Sequence, residues 1–225
     1  MARVYCLVSG GCDSVVACHY YCGSYDVDCV IVHASTPLED PRNIEYVREF
    51  ARYMGARLVI TKPRYGLEKI MDWGLPGLRN RWCMRVWKQE PMRKAIPKGS
   101  TIVLGIRREE SMARRKRYPL GFYNDRYYNA VLPIVNWTKQ QVLDYIGKHG
   151  IPLNPLWNNN VHSSHDCSIC LLYATIDDLL WIRRNNPKIY RKLVMYIKLA
   201  KAFKGYYPRF LRIQEKQLLK VIHGG

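Results

Sequence analysis

A short glycine-rich segment near the start of the 225-residue chain has the residue types that bind phosphate. Residues 9–14 read Ser-Gly-Gly-Cys-Asp-Ser and follow an apolar run of strand length at residues 4–8. Glycines let the backbone approach an anion closely, and a following helix adds unpaired N–H groups and the positive end of its dipole. This segment, called the phosphate loop below, predicts a nucleotide-phosphate site, although a tight strand-to-helix turn capped by Asp13 would show the same pattern.

Every residue of the phosphate loop is a candidate contact to the nucleotide: Ser9, Gly10, Gly11, Cys12, Asp13 and Ser14. Asp13 has the same charge sign as phosphate, so we expect it to orient the loop or to help hold Mg²⁺. A thiol at a helix N-terminus is expected to have a lowered pKa, which makes Cys12 a candidate nucleophile. The loop is not a Walker A sequence, because it lacks Gly-Lys-Ser/Thr.

The elements that must position this loop alternate along the chain. Apolar runs of strand length and helical segments predict an α/β fold with a parallel twisted sheet of about five strands and helices on both faces. The strands are predicted at residues 4–8, 27–33, 58–61, 101–106 and 132–135, and two early helices at 13–22 and 43–54. Thr138 and Gln141 have capping-box spacing for a later helix.

The carboxyl-terminal part is predicted to be helical, with a break near Asn186-Pro187. We therefore expect a nucleotide-binding α/β domain at residues 1–172 and a basic helical segment at residues 173–225 that packs on it. No apolar run approaches the ~20 residues that span a bilayer. The start of the chain also lacks a secretory signal pattern, so the sequence predicts a cytoplasmic protein with no membrane partner.

Three cysteines have the spacing of a metal or cluster site. Cys167 and Cys170 form a Cys-x-x-Cys pair, and Cys83 could supply a third ligand. Three thiolates suit a [4Fe–4S] cluster with one open iron, or zinc with a fourth ligand such as His162 or His165. Iron–sulfur is favoured over zinc, and three reduced thiols without a metal are the alternative.

The other cysteines outside the phosphate loop are predicted to be small buried apolar side chains. They are Cys6, Cys18, Cys22 and Cys29. Because the protein is expected to be cytoplasmic, no disulfide framework is predicted.

Positive charge is concentrated in two stretches. The net charge is +18, and residues 79–117 carry thirteen lysines and arginines against three acids, while residues 183–220 carry twelve against one. Such a distribution favours a phosphate-rich partner, either a nucleotide or a nucleic acid such as tRNA or DNA. A solvated basic surface is the alternative. A homodimer is also compatible with the sequence.

Four segments, in order, resemble the phosphoadenylyl-sulfate (PAPS) reductase-like family of the ATP pyrophosphatases, within the adenine nucleotide alpha hydrolase-like superfamily. They are the phosphate loop, the run from Gly105 to Arg114, the run from Pro133 to Leu156, and the cysteine segments Arg81-Trp82-Cys83 and residues 166–170. The resemblance covers about residues 4–172. It departs at residues 34–37, Ala-Ser-Thr-Pro, where the family usually has an Asp-x-Gly-like turn, and at Cys12, where lysine is common.

The resemblance implies an adenine-nucleotide site with contributions from residues beyond the phosphate loop. Ligands of open parallel sheets bind at the carboxyl ends of strands, so side chains there should face the same crevice. Arginine forks there would hold phosphate or sulfate, with Arg107 also a catalytic candidate. His33 would help line the adenine or ribose pocket. The full set is His33, Gly105, Arg107, Arg108, Ser111 and Arg114.

The first functional hypothesis is an enzyme that binds ATP, releases pyrophosphate and adenylates an oxygen of a tRNA or DNA acceptor. Sulfur from a donor, delivered through the cysteine site, would then displace AMP. Reductases of the family attack sulfate sulfur with a carboxyl-terminal cysteine, and residues 171–225 contain none. The alternatives are a PAPS or adenylyl-sulfate reductase with an atypical nucleophile, such as Cys12 or a redox partner, and a non-catalytic nucleotide-binding subunit.

Overall fold

The computed structural model describes residues 1–77, 80–119, 121–124, 126–157, 165–172 and 174–204, without the side chains of residues 176 and 200–204. The chain divides into two compact units. The first, the sheet unit, comprises Met1–Ser35, Pro41–Lys62 and Pro91–Asn158. The second, the helical unit, comprises Thr36–Asp40, Pro63–Glu90 and Asn159–Gly225.

The sheet unit contains a six-stranded, mostly parallel sheet. The strands are β1 (Ala2–Leu7), β2 (Val27–Ala34), β3 (Arg57–Thr61), β4 (Thr101–Leu104), β5 (Phe122–Asn124) and β6 (Asn129–Val131). Their order in the sheet is β3-β2-β1-β4-β6-β5, and only the edge pair β5–β6 is antiparallel. The predicted α/β fold is confirmed, and β1 lies near the centre of the sheet.

The helices, in chain order, are α1 (Cys12–Ser24), α2 (Pro41–Tyr53), α3 (Lys69–Trp73), α4 (Glu90–Ala95), α5 (Met112–Arg117), α6 (Lys139–His149), α7 (Ile176–Asn185) and α8 (Pro187–Lys204). A π-helical segment, Met84–Gln89, precedes α4. The predicted capping box is present, because Thr138 and Gln141 bond reciprocally at the start of α6. No helix of the described residues is long and apolar enough to span a bilayer.

The main core of the sheet unit forms where α1, α2 and α6 pack against apolar strand residues. Cys6 in β1 pairs in register with Ile31 of β2 and Val103 of β4, and all three are buried. Val15 and Phe50 bring α1 and α2 into the same cluster. Strands that are apolar in continuous runs are covered on both faces, as expected for parallel strands.

The fifth strand was predicted at the wrong place. Residues 132–135 form a turn, in which the Val135 amide donates to the Leu132 carbonyl at 3.2 Å, and the strand β6 ends just before it. Pro133 has no N–H to donate to a sheet. Leu132 and Ile134 lie in the turn, and their apolar side chains are buried although they are not part of a strand. The short antiparallel strand β5 was not predicted.

The helical unit has its own core around α3, α7 and α8. Trp82, Trp87 and Ile169 are buried with Leu179 and Leu193 in one cluster. The predicted break near residue 186 is confirmed, since α7 ends at Asn185 and α8 begins at Pro187, a proline position that a first helical turn tolerates.

Candidate functional site

The phosphate loop lies between β1 and α1, and its first glycine is required by geometry. Gly10 has φ +89°, and a Cβ added there would lie 2.0 Å from Asn43 Oδ1. Gly11 then precedes α1 in an extended conformation. The loop therefore delivers the chain into a 13-residue helix whose first N–H groups have no intrahelical acceptors, which is the arrangement that binds anions.

The two serines of the loop bond within the loop itself. Ser14 Oγ donates to the Gly11 carbonyl at 2.8 Å and accepts from the Ser9 amide at 3.1 Å. The Gly11 amide is 3.3 Å from Ser9 Oγ. In the structure the serine hydroxyls therefore fix the shape of the loop as well as adding potential donors at its mouth.

Three residues outside the loop hold its backbone, and sequence reasoning missed all of them. Asn43 Nδ2 donates to the Ser9 carbonyl at 3.0 Å. Asn154 Nδ2 and Trp157 Nε1 both donate to the Gly10 carbonyl, at 3.0 and 2.7 Å. Asn154 also donates to Asn43 Oδ1 at 2.7 Å. Asn154 lies inside a motif that was recognised, but a motif match does not show which backbone groups the side chain contacts.

We expect Asn154→Ala to lower the free energy of unfolding by about 2 kcal/mol or more, because it removes three buried hydrogen bonds, to the Gly10 carbonyl, to Asn43 Oδ1 and from the Leu156 amide. Urea denaturation of the full chain measures this loss. The matched control is Asn129→Ala, whose amide donates to the Gly99 carbonyl at an exposed position and should cost about 1 kcal/mol or less. Equal losses for the two variants would contradict the role assigned to Asn154.

The acidic residue of the loop is paired with an arginine. Asp13 Oδ2 lies 3.0 Å from Arg107 Nε, and the Arg107 side chain is only 6% exposed. Arg107 also pairs with Glu109 at 2.5 Å, and Glu109 accepts from the Lys139 backbone amide at 2.7 Å. Arg107 was predicted to hold phosphate; here two carboxylates engage it and it helps to position the loop, and its role toward the nucleotide stays a prediction.

A lysine that sequence reasoning missed lies against the loop. Lys139, the first residue of α6, donates from Nζ to Cys12 Sγ and lies 4.0 Å from Asp13 Oδ1. Its side chain is half exposed. Lys139 thus brings a cation to the loop from another element.

The expectation of a lowered pKa at Cys12 was wrong. Burial raises the pKa of the Cys12 thiol, Asp13 raises it further, and the hydrogen bond from Lys139 lowers it by less. Desolvation and a neighbouring carboxylate both disfavour the thiolate form of Cys12. The role of Cys12 as a nucleophile or as a loop contact stays a prediction.

Residues at the carboxyl ends of β4 and β2 lie near the loop. A Cβ added at Gly105, just after β4, would lie 2.4 Å from the Asp13 carbonyl, so glycine permits the close approach of α1. His33 at the end of β2 is fully buried, with Nδ1 2.7 Å from the Val8 carbonyl. His33 therefore ties the end of β2 to the chain just after β1, and its role toward the nucleotide stays a prediction.

The remaining predicted contacts lie in and around α5. Arg108 bonds to Asn136 Oδ1 at 3.3 Å, and Arg114 pairs with Glu110. Ser111 caps α5 by accepting from the Arg114 amide at 3.2 Å. Arg108 and Arg114 thus have protein partners, and their role toward the nucleotide stays a prediction.

The predicted cysteine site lies in the helical unit, where a buried cation accompanies it. Burial raises the pKa of Cys83 to about 11 and that of Cys167 to about 12, while the charge of Lys88 lowers both. Lys88 pairs with Asp166 at 2.8 Å. Although burial lowers the pKa of Lys88, the charges of Asp166 and Cys167 raise it by more, so Lys88 stays protonated.

The three predicted ligands are not as close as a single zinc ion requires. Zn–S bonds of ~2.3 Å in a tetrahedron place two sulfurs ~3.8 Å apart. Among the residues that the structure describes, Cys83, Cys167 and Cys170 do not form a group with all ligand atoms within 4.8 Å. Of the two candidate fourth ligands, His165 is described and His162 lies outside the described residues.

Four of the five cysteines of the sheet unit, all except Cys12, gather in one place, and two of them form a disulfide that was not predicted. Cys22 near the end of α1 and Cys29 in β2 flank a tight connection that places their Cα atoms 6.2 Å apart. Cys6 Sγ lies 3.4 Å from Cys22 Sγ, and Cys18 is fully buried beside Cys6. The prediction of small buried side chains holds for Cys6 and Cys18 only.

A loop after the first strand, at the carboxyl ends of a parallel sheet with the central order β3-β2-β1-β4, is the arrangement in which doubly wound α/β folds bind nucleotides. The family model described as "Phosphoadenosine phosphosulfate reductase domain" matches residues 3–209. The chain belongs to this family.

Individual relatives agree with this membership. An uncharacterized protein of Methanocaldococcus jannaschii is 28% identical over 190 residues, which are 82% of this chain and 39% of that protein. The phosphoadenosine 5'-phosphosulfate reductase of Alkalilimnicola ehrlichii is 27% identical over 150 residues, 62% of this chain and 59% of that enzyme. The chain thus spans less than two thirds of the length of these curated relatives.

A solved structure shows the same fold. The crystal structure of phosphoadenylyl-sulfate reductase from Candida auris, in a phosphate complex, matches with a TM-score of 0.54 at 18% identity. The match covers 72% of this chain and 80% of that one.

Proposed function

We propose that the protein binds ATP at the phosphate loop, releases pyrophosphate and adenylates an oxygen of an acceptor that then receives sulfur. The observation that carries the proposal is the loop itself: Gly10 in a positive-φ conformation, the N-terminus of α1 behind it, and Lys139 against it. An adenylate transfer needs such a cradle, because pyrophosphate departs with several negative charges.

In the proposed step, an acceptor oxygen attacks the α-phosphorus of ATP and loses its proton to solvent. The bond from the α-phosphorus to the bridging oxygen breaks, and pyrophosphate leaves with the electron pair. The first turn of α1 and Lys139 would stabilise the charge on the leaving group. Asp13, fixed between Arg107 and Lys139, would orient the loop.

Mg²⁺ would neutralise further charge on the triphosphate. Asp13 is the loop residue whose carboxylate could hold it, since carboxylate oxygens are preferred Mg²⁺ ligands. The pairing of Asp13 with Arg107 at 3.0 Å fits an orienting role better than direct coordination.

The acceptor proposed is a nucleic acid, tRNA or DNA. The described parts of α7 and α8 present exposed cations to solvent: Arg183, Arg184, Lys188, Arg191, Lys192 and Lys198. Such a row suits contacts to a phosphate backbone, and binding through it should weaken steeply as salt rises.

An iron–sulfur cluster fits the donor set of the helical unit. Cys83, Cys167 and Cys170 would hold three irons of a [4Fe–4S] cluster, whose thiolates lie further apart than those on one zinc ion. The protonated Lys88 amine beside them would balance the negative charge of a thiolate-bound cluster. When bound, the cluster would supply an open iron for inorganic sulfur.

We expect Cys167→Ala to remove the thiolate-to-iron absorbance near ~400 nm from anaerobically reconstituted protein, since one of three ligands is lost. Cys18→Ala, which removes a buried thiol from the sheet unit, is the matched control and should keep the absorbance. Iron content measured with the spectrum checks the result. The same loss in both variants would refute the assignment of ligands.

The function is tested by following products. Anaerobic protein is incubated with labelled ATP and total tRNA, and pyrophosphate, AMP and thiolated tRNA are measured. We expect pyrophosphate release that depends on the acceptor. Sulfite formation from adenylyl sulfate and a thiol donor, without ATP turnover, would instead support a reductase. ATP binding without turnover would support a non-catalytic subunit. Either result contradicts the proposal.

A further inference from the structure

A cavity of about 420 Å³ opens at the amino ends of the strands, away from the phosphate loop. Its lining includes Met1, Val27 and Arg57, which lie at or next to the starts of β1, β2 and β3, as well as both cysteines of the Cys22–Cys29 disulfide. The proposed nucleotide site lies at the other end of these strands, their carboxyl ends. This cavity therefore needs a separate explanation.

The disulfide has a third sulfur beside it. Cys18 and Cys22 are four residues apart on α1, so both side chains lie on the helix face that packs against the sheet. Cys6 projects from β1 toward that face, with its Sγ 3.4 Å from Cys22 Sγ. The ligand atoms of Cys6, Cys22 and Cys29 all lie within 4.8 Å of one another.

The chemistry of this group is that of a soft metal site. Tetrahedral zinc holds thiolates ~3.8 Å apart, so opening the disulfide and moving the three sulfurs by small distances would produce the spacing that zinc requires. Thiolates select soft or borderline ions over Mg²⁺ and Ca²⁺. The cavity gives an ion and one water ligand a route to the half-buried cysteines, Cys22 and Cys29.

We propose that Cys6, Cys22 and Cys29 form a redox-controlled site for a zinc-class metal ion, bound when Cys22 and Cys29 are reduced and released when they form the disulfide. The proposal is independent of the ATP chemistry and of the cysteines in the helical unit. The Cys22–Cys29 disulfide is the oxidised state of this site.

The change of state balances with a low-molecular-weight disulfide as the oxidant. The bonds from the metal to Cys22 and Cys29 break, and these two sulfurs form one S–S bond, giving up two electrons. The oxidant takes the two electrons and two protons from solvent and leaves as two thiols. The metal ion, left with Cys6 alone, dissociates. A dithiol reverses the change by taking the same two electrons back into the protein.

The test uses Cd²⁺, which gives thiolate charge-transfer absorbance in the ultraviolet. The full chain carries Cys83→Ser, Cys167→Ser and Cys170→Ser, so that the helical unit cannot contribute. After reduction by a phosphine and anaerobic exchange, we expect one Cd²⁺ per chain. Oxidation, or Cys29→Ser, should weaken Cd²⁺ binding by more than about 100-fold. Loss of a residue that only orients a metal ligand costs up to about 100-fold, so a larger loss indicates a direct ligand. Cys12→Ser in the same triply substituted chain is the control and should bind Cd²⁺ as tightly as that chain does.

A labelling measurement on the unsubstituted chain decides the question even where a variant fails to fold. In reduced protein, Cd²⁺ should slow maleimide labelling of Cys22 and Cys29, as mapped by mass spectrometry. In oxidised protein neither should label. Labelling that is indifferent to Cd²⁺, or Cd²⁺ binding that is equally tight in the oxidised chain, would overturn the proposal.

Discussion

Replacing Gly105 with alanine is expected to destabilise the sheet unit by about 2–3 kcal/mol and to abolish nucleotide binding. The added Cβ would lie 2.4 Å from the Asp13 carbonyl and from the Ser14 amide nitrogen. These are backbone atoms at the start of α1, and they cannot move aside as the end of a flexible side chain can. The helix would have to shift away from β4, and the phosphate loop would move with it.

Gly147→Ala is the matched control for this prediction. Gly147 lies within α6, and a Cβ there has nothing within 4 Å. Alanine is the better helix former by roughly 0.5–1 kcal/mol, so this variant should be slightly more stable than the parent. Thermal or urea unfolding of both variants, with ATP binding by calorimetry, measures the contrast. Retained ATP binding in Gly105→Ala would show that the loop position is not critical.

Lys139→Met is expected to lower the rate of pyrophosphate release by about 10²–10³, the usual cost of losing one stabilising group for developing charge. Methionine keeps most of the length of the side chain but removes the charge beside Cys12 and Asp13. Lys148→Met, an exposed position of the same helix, is the control and should leave the rate unchanged.

A second substitution tests whether the charge itself matters. Cys12→Lys in the Lys139→Met background returns a cation to the loop from a position within the loop itself. We expect it to restore at least part of the lost rate. An unchanged rate in Lys139→Met alone would show that the leaving group does not depend on this cation, whatever the effect of the double variant.

The parts of the fold that could be predicted have strong local signals. Continuous apolar runs identified β1 to β4, and Thr138 with Gln141 identified the start of α6. The strand predicted at residues 132–135 failed because an apolar turn and a buried strand have the same composition. β5 has only three residues, which is too short to give a periodic pattern.

The site shows the same division between local and long-range information. The phosphate loop was recognised because its glycines and serines are adjacent in sequence. Lys139 and Asn154 reach the loop from more than a hundred residues away, and no spacing rule connects them to it. The pairing of Arg107 with Asp13 was missed for a similar reason, since it depends on the three-dimensional approach of β4 to α1.

The cysteines illustrate a limit of composition arguments. An expected compartment was used to exclude disulfides, but Cys22 and Cys29 satisfy the distance requirement because α1 ends close to the start of β2. Their proximity to Cys6 required knowledge of which face of α1 packs on the sheet. Conversely, the Cys-x-x-Cys pair was evident from spacing, and Lys88 beside it was not.

Hydrogen exchange of the full chain with and without ATP tests whether the phosphate loop holds the phosphates of ATP. We expect saturating ATP to slow exchange in the peptide spanning residues 9–14, where the first N–H groups of α1 would bond to phosphate oxygens, and we expect Lys139→Met to weaken this protection. ATP binding that protects other peptides while leaving residues 9–14 unchanged would contradict it.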